Sequence, residues 1–297
     1  MNRRTFWKLA LAAAGAGAAR ADESATVEIG GGVIDVTIAA GFDATKDQIL
    51  DWVRDAANAV TWYFGKYPVP KARIQVRMGR RDGVSSGVTF GQPGPRSRLA
   101  VGQHTTVADL KDDWTLTHEM VHYGFPSVAD EHHWMEEGSA VYIEPVARVH
   151  VGQLTPERIW GDMVRDMPQG LPKPGDQGLD NTHTWGRTYW GGAIFCLLGD
   201  IEIRKHSKNK KSLQDAFKAI NQAGGTIDQD WPLERAFEIG DKATGGKSLM
   251  ELWSRMGPKA VEVDLPDLWK QLGVKRENGV VTFDRKAPLA GIRAGIA

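Results

Sequence analysis

The stretch LTHEMVHYGF, residues 116–125, carries two histidines four positions apart, with a glutamate directly after the first. On a helix, residues i and i+4 project from the same face, so His118 and His122 can bind one metal ion. The neighbouring Glu119 can reach a water at that ion, which is the arrangement of H-E-x-x-H zinc sites. A surface helix with a fortuitous histidine pair would show the same spacing, so the flanking residues have to decide.

Those flanking residues indicate a buried helix with defined ends. Asp112 or Asp113 can cap its start, and Gly124 with Pro126 can end it. The directions away from the histidines are apolar and carry Trp114, Leu116, Met120, Val121 and Phe125. Buried neutral imidazoles need a polar partner, and a metal ion is one such partner. The flanks therefore favour a metal site.

A catalytic zinc site needs a third protein ligand and one open position. The metzincin pattern would place a glycine and a histidine where Phe125 and Val128 stand, so that class is excluded. A different arrangement takes a glutamate from the next helix. The stretch HHWMEEGSAVYIEP, residues 132–145, supplies Glu137 fifteen positions after His122.

These two stretches resemble the gluzincin peptidases, the superfamily of thermolysin-like and aminopeptidase-type zinc enzymes. WMEEGSAVYIE is similar to the W-x-x-E-G-x-x-x-Y-x-E helix of the M1-type aminopeptidases. The resemblance implies that Glu137 is the third zinc ligand, with Glu136 as the fallback. It also implies that Glu144 accepts a hydrogen bond from a zinc histidine and so orients it. The gap after His122 is shorter here than in the M1 family and has to close in one tight loop.

The loop before this second helix offers further polar side chains. Any of them could in principle bind the metal, although a solvated surface turn is the favoured interpretation for Asp130, Glu131, His132 and His133.

A third stretch, TYWGGAIFCLLGDIEIRKHSKNKKSLQDAFKAI at residues 188–220, resembles a helix of the glycyl aminopeptidase family. The resemblance implies that Tyr189 donates a hydrogen bond to the oxyanion formed during hydrolysis. A tyrosine that only packs in the core is the alternative. Arg187 and His183 are weaker candidates for contacts to the substrate.

Strand patterns occur almost only in the first hundred residues. Segments 31–42 and 72–79 alternate as strands do, 83–104 predicts a strand, a turn and a strand, and 45–68 predicts an amphipathic helix. The later patterns predict helices over 112–124, 133–146, 155–168, 183–205, 212–221, 229–239, 247–256 and 264–272.

The predicted fold class is α+β. A small twisted N-terminal β-sheet with one helix is followed by a mainly helical lobe, and the resemblance implies a thermolysin-like zincin catalytic domain. We place an N-terminal α/β lobe at 22–125, ending in the H-E-x-x-H helix, and a helical lobe at 126–297.

The first 21 residues, MNRRTFWKLALAAAGAGAARA, have the order of an export signal: a basic start, a short apolar run and a small-x-small cleavage point after Ala21. Arg3 and Arg4 resemble the pair of a twin-arginine signal, with an ordinary Sec signal or a retained anchor as alternatives. The apolar run is too short to span a bilayer. We expect a periplasmic or extracellular protein with no membrane span in the mature chain.

Composition limits the partners and the kinds of cross-link. The formal net charge is zero, so nothing indicates nucleic acid as a partner. The single cysteine, Cys196, lies in the apolar run AIFCLLG and is predicted to be a core thiol. The domain must therefore be held together by its core or by a metal.

The combined expectation is an exported zinc metallopeptidase with one Zn²⁺ per chain and a peptide or protein substrate. Glu119 is the expected general base, and Tyr189 the expected oxyanion donor. Two alternatives stay open, namely a non-catalytic peptide-binding protein on the same scaffold and a zinc hydrolase of non-peptide amides. The expected substrate strand, SSGVTFG at 85–91, lacks the glutamate with which aminopeptidases bind a free amine. Endopeptidase and aminopeptidase modes therefore also stay open.

Overall fold

The structure is a computed structural model that describes residues 21–297. Its N-terminal part is a mixed five-stranded sheet. The strands are β1 (Glu23–Ile29), β2 (Gly32–Ile38), β3 (Lys71–Met78), β4 (Val84–Phe90) and β5 (Arg96–Val101). Their spatial order is β1-β2-β3-β5-β4, with β2, β3 and β5 parallel and the two outer strands antiparallel to their neighbours. Strand β4 therefore forms one edge of the sheet.

One long helix, α1 (Lys46–Phe64), covers the sheet. It begins with a capping box between Thr45 and Gln48, and it ends at Gly65, whose φ of 77° is the left-handed conformation that glycine adopts without strain. Its predicted apolar stripe is buried in full: Ile49, Trp52, Val53, Ala56, Val60 and Phe64. The helical spacing of these residues thus matches the face that packs on the sheet.

The rest of the chain is mainly helical. The helices are α2 (Val107–Asp112), α3 (Thr115–Val121), α4 (His133–His150), α5 (Pro156–Asp166), α6 (Gly192–His206), α7 (Leu213–Gln222), α8 (Leu233–Thr244), α9 (Ser248–Met256), α10 (Leu265–Leu272) and α11 (Ala290–Ile296). The α+β prediction is confirmed. Cys196 is buried in α6, as predicted. In the part of the chain that the structure describes, no helix is both long and apolar enough to cross a membrane.

The helix predicted over 112–124 corresponds to α3 and the 3-10 turn His122–Gly124 that follows it. The Asp113 carboxylate caps its start, as predicted, by accepting the backbone N–H groups of Thr115 and Leu116. Helix α2, which precedes it, was not predicted. Strand β1 was not predicted. Neither was a hairpin of β6 (Val274–Glu277) and β7 (Val280–Phe283), although its turn contains Asn278 and Gly279, both at positive φ. That Asn-Gly pair is the sequence signal that would have predicted the hairpin.

Helices α4 and α6 meet at two glycines. A Cβ atom built on Gly138 would lie 2.3 Å from the Cα of Gly192, so only glycine permits this approach. Gly138 directly follows Glu137 on α4, and Gly192 begins α6 just after the segment that carries Tyr189. The close contact therefore brings the two predicted site residues towards each other.

The predicted lobe boundary at 125/126 stays a prediction. The predicted export signal lies outside the described residues except for Ala21.

Candidate metal centre

Helix α3 holds the first part of the predicted site. All seven of its residues are buried, which fits the prediction of a buried helix. His118 lies on α3, and His122 opens a short 3-10 turn that ends at Gly124. A Cβ on Gly124 would lie 2.1 Å from the ring of Phe64, so this glycine lets the turn pack against α1. The two histidine rings are 5.0 Å apart between centroids and almost perpendicular.

Glu137 on α4 faces both histidines. Its Oε2 atom lies 3.1 Å from Nε2 of His118 and 3.8 Å from Nε2 of His122. One donor atom of each of the three residues lies within 4.8 Å of the other two. Two imidazoles and one carboxylate form the ligand set of many catalytic zinc sites. The structure thus brings together the three ligands that the resemblance implied.

The protonation states of these residues also suit a metal. Burial lowers the pKa of His122 to about 4, so its imidazole is neutral at physiological pH. Burial opposes ionisation of Glu137, but its hydrogen bond with His118 and the neighbouring imidazoles outweigh burial and lower the pKa of Glu137 to about 2. Neutral histidine and ionised glutamate are the forms that bind a cation.

Glu119 lies beneath edge strand β4. The hydroxyl of Thr89 on this strand donates to Oε2 of Glu119 at 2.6 Å, and a Cβ on Gly87 would lie 2.6 Å from the other carboxylate oxygen. Burial raises the pKa of Glu119, while the Thr89 hydrogen bond acts in the opposite direction. Behind Thr89, hydrogen bonds link its hydroxyl to Ser97 at 2.7 Å and Ser97 to Tyr123 at 2.5 Å.

The sequence analysis did not identify Thr89. The only sequence signal is the position of this threonine two residues after Gly87 on the predicted substrate strand. Residues i and i+2 of a strand share one face, so both meet Glu119.

Tyr189 lies on a π-helical segment, Arg187–Gly191, that leads into α6. Single π-helical turns are frequent at functional sites. Its ring is nearly parallel to that of His118, with the centroids 6.4 Å apart. Burial and the charge of Glu137 raise the pKa of Tyr189 to about 12, so its hydroxyl keeps its proton and can donate a hydrogen bond.

Glu144 is buried on α4, two turns after Glu137, and burial raises its pKa to about 7. Its carboxylate accepts a hydrogen bond from Arg148 at 2.8 Å. Nδ1 of His118 is buried without a hydrogen-bond partner among the described residues. The hydrogen bond from a zinc histidine to Glu144 therefore stays a prediction.

The alternative ligands lie elsewhere. Glu136 accepts hydrogen bonds from the backbone of Val128 and from His133, and His132 contacts Asp180 at 2.9 Å. His133 is exposed, and its Nε2 atom lies 3.4 Å from Oε1 of Glu137. It therefore contacts the Glu137 carboxylate from the solvent side.

The other polar candidates near these loops are also accounted for. Asp130, Glu131 and His183 are exposed. Arg187 is buried and forms an ion pair with Asp176 at 2.8 Å, which gives it a structural role.

Two recesses lie beside the candidate centre. One of about 360 Å³ lies between β4 and the start of α4 and includes Gly87, Glu119, His122 and Glu137. The other, of about 310 Å³, includes Tyr189, Trp114 and Glu144. The first recess therefore gives access to two of the three candidate ligands and to Glu119.

No protein-family model and no curated protein matches this sequence. Solved structures do match. An aminopeptidase N family protein from Idiomarina loihiensis is 14% identical with a TM-score of 0.63, covering 90% of this chain and 53% of that one.

Two further structures extend this likeness. A mutant M1 zinc metallopeptidase from Deinococcus radiodurans, bound to a Tyr-Ser-Ala substrate, is 12% identical with a TM-score of 0.50, covering 82% of this chain and 53% of that one. Legionella pneumophila aminopeptidase A, in complex with aspartic acid, is 11% identical with a TM-score of 0.51, covering 82% and 28%.

The chain therefore has the fold of the catalytic domains of M1 zinc metallopeptidases, at low sequence identity. This confirms the gluzincin resemblance. The chain spans about half the length of the M1 structures it matches.

Proposed function

We propose that this chain is a zinc-dependent metallopeptidase that hydrolyses peptide bonds with Glu119 as general base and Tyr189 as oxyanion donor. The observation that carries the proposal is the convergence of five side chains around one point. His118, His122 and Glu137 bring one donor atom each within 4.8 Å of one another. Glu119 lines the same recess as His122 and Glu137, and the Tyr189 ring lies 6.4 Å from that of His118.

The donor set fits zinc. The two imidazole nitrogens and the carboxylate oxygen are close enough to share one ion. The lowered pKa values of His122 and Glu137 favour the neutral imidazole and the ionised carboxylate that bind a cation. A zinc ion bound there would polarise the scissile carbonyl as a Lewis acid and lower the pKa of a water molecule.

The remaining steps belong to the side chains of this protein. Glu119 takes a proton from the attacking water and passes it to the leaving nitrogen. Thr89 holds the Glu119 carboxylate in place, and burial raises its pKa towards the range that suits a base working near neutral pH. The Tyr189 hydroxyl donates to the oxyanion that develops on the scissile carbonyl.

Strand β4 suits an extended peptide as substrate. It is an edge strand, so its outer N–H and C=O groups can pair with an added strand, and its Gly87 lies directly over Glu119. The Tyr-Ser-Ala peptide held by the Deinococcus enzyme of the same fold supports this substrate class. The order of residues 1–21 supports export to the periplasm or the cell exterior, with cleavage after Ala21.

The test combines metal analysis with a peptide-library digest of the purified chain. We expect one zinc per chain and cleavage products from wild type. Glu119→Gln should keep the zinc but lose activity by a factor of at least about 10³, because no base then accepts the proton. Glu131→Gln changes an exposed carboxylate outside the cleft and should be fully active.

The other outcomes separate the alternatives. Zinc binding without any peptide cleavage would favour a binding protein, or a hydrolase of other amides if a non-peptide library is turned over. Absence of zinc from protein purified under zinc-replete conditions would contradict the proposal.

A further inference from the structure

Two exposed tryptophans flank the candidate centre. Trp114 is 53% exposed and Trp185 60% exposed, whereas the other exposed large apolar residues between positions 21 and 297 are aliphatic. Trp114 belongs to the apolar flanks from which a buried helix was predicted; helix α3 is buried, but the indole just before it is not. An indole is the largest apolar side chain, so leaving two of them in water beside a cleft points to a ligand that covers them.

Both indoles contact side chains of the candidate centre. Trp114 meets His118 edge to face, with ring centroids 5.3 Å apart, and Trp185 stacks on Tyr189 at 5.5 Å and 22°. Trp185 and Tyr189 are four residues apart at the start of the π-helical segment, so they share one face. The exposed aromatic surface therefore continues directly into the place where a scissile bond would lie.

Between the indoles lies the cavity of about 310 Å³ on the Tyr189 side. This volume is at the lower end of the range of ligand pockets and suits one side chain. We define the tryptophan pocket by its apolar lining: Trp114, Val141, Pro145, Leu154, Trp185 and Trp190.

Three guanidinium groups and four carboxylates line the tryptophan pocket, and they form ion pairs with one another. The pairs are Arg148 with Glu144, Arg158 with Asp112 and Asp162, and Arg165 with Asp162 and Asp166. Each of these carboxylates already has a guanidinium partner. A basic ligand side chain would have to displace an arginine, whereas an uncharged ring only has to cover the indoles.

We propose that the tryptophan pocket is a specificity site that accepts an aromatic side chain of the peptide substrate next to the scissile bond. The inference rests on the proposed peptidase function, because it treats the bound peptide as a substrate. Binding of the aromatic ring itself does not depend on turnover. Two indoles at different inclinations offer a ring both a stacked and an edge-to-face contact, which are the favoured aromatic geometries. Aliphatic and basic side chains would bind less tightly to the two indoles.

The first experiment measures binding without turnover. Zinc-loaded Glu119→Gln protein is titrated calorimetrically with blocked pentapeptides, acetyl-Gly-Gly-X-Gly-Gly-amide, in which X is Phe, Leu, Lys or Ala. We expect the Phe peptide to bind about tenfold more tightly than the Ala peptide. Trp114→Ala and Trp185→Ala should each remove most of this advantage, while Trp185→Phe should retain it.

Matched controls address folding and the metal. Val280→Ala truncates an equally exposed apolar residue that does not line the tryptophan pocket and should leave the Phe advantage unchanged. Zinc content and circular dichroism of each tryptophan variant show whether His118 and the fold are intact. Equal affinity for the four peptides, or tighter binding of the Lys peptide, would overturn the proposal.

The second experiment compares cleavage of longer versions of these peptides by wild-type protein and the two alanine variants. Loss of rate confined to the Phe peptide supports the pocket. A uniform loss over all four peptides would show that the tryptophans only position His118 or Tyr189, and would overturn it. If the Phe peptide binds in a tryptophan-dependent way but nothing is cleaved, the pocket stands and the proposed function fails.

Discussion

The contact between α4 and α6 allows one substitution to test how the site is assembled. In Gly138→Ala, the new methyl group would lie 2.3 Å from backbone atoms of Gly192, whereas ordinary contacts begin at 3.4 Å. Neither partner has a side chain that could rotate away, so the two helices must separate by about 1 Å.

Two effects of opposite sign compete in this variant. Alanine favours a helix interior over glycine by about 1 kcal/mol. Overpacking typically costs about 1–3 kcal/mol, and the rigid backbones place this site at the upper end. We expect the free energy of unfolding to fall by about 2 kcal/mol and Tm by roughly 4 °C. Glu137 and Tyr189 would also move apart, and a misplacement of about 1 Å can lower kcat/KM by about 10²-fold.

Urea and thermal unfolding measure the first effect, and peptide cleavage the second. Gly291→Ala is the matched control, because Gly291 also lies in a helix but has no atom within 4 Å of the place that a Cβ would occupy. That variant should be as stable as wild type or more stable. A Gly138→Ala protein that is as stable and as active as wild type would refute the close-approach argument.

Three further predictions concern the proposed base Glu119, the carboxylate of Asp180 and the metal. Thr89→Val removes the hydroxyl that holds Glu119 and should lower kcat/KM by about tenfold or more in steady-state assays, with activity restored in Thr89→Ser. Burial opposes ionisation of Asp180, but hydrogen bonds from His132, Trp134 and Trp253 hold its pKa below the usual value. Its stabilising effect is therefore complete above about pH 4 and is lost as the pH falls through the lowered pKa, so acid titrations of unfolding should be shallower for Asp180→Asn. Zinc at about 100 times its Kd should raise the free energy of unfolding by about 2.7 kcal/mol in thermal shift assays, and His122→Ala should abolish the effect.

Local spacing explains why part of the site could be predicted. His118, Glu119 and His122 lie within two helical turns, where the geometry of the backbone fixes which side chains share a face. The apolar stripe of α1 was readable for the same reason. Glu137 and Tyr189 lie on other elements, and they were predicted only through their resemblance to known helices.

Two features were missed because they depend on more than residue type. The sequence analysis counted Trp114 among the apolar flanks of a buried helix, and the helix is buried, but residue type does not tell on which side of a helix the solvent lies and the Trp114 indole is exposed. Helix α2 was not predicted, although Thr106 and Asp109 form a capping box at its start.

The sequence by itself determined the donor types, their spacing on α3 and the α+β class, because these depend on contacts between residues close along the chain. Only the tertiary structure decided that β4 lies over Glu119, that two glycines bring Glu137 towards Tyr189, and that two indoles border the cleft. Those arrangements bring together residues up to 71 positions apart, as with Trp114 and Trp185. They depend on how whole helices and strands pack, which no local pattern encodes.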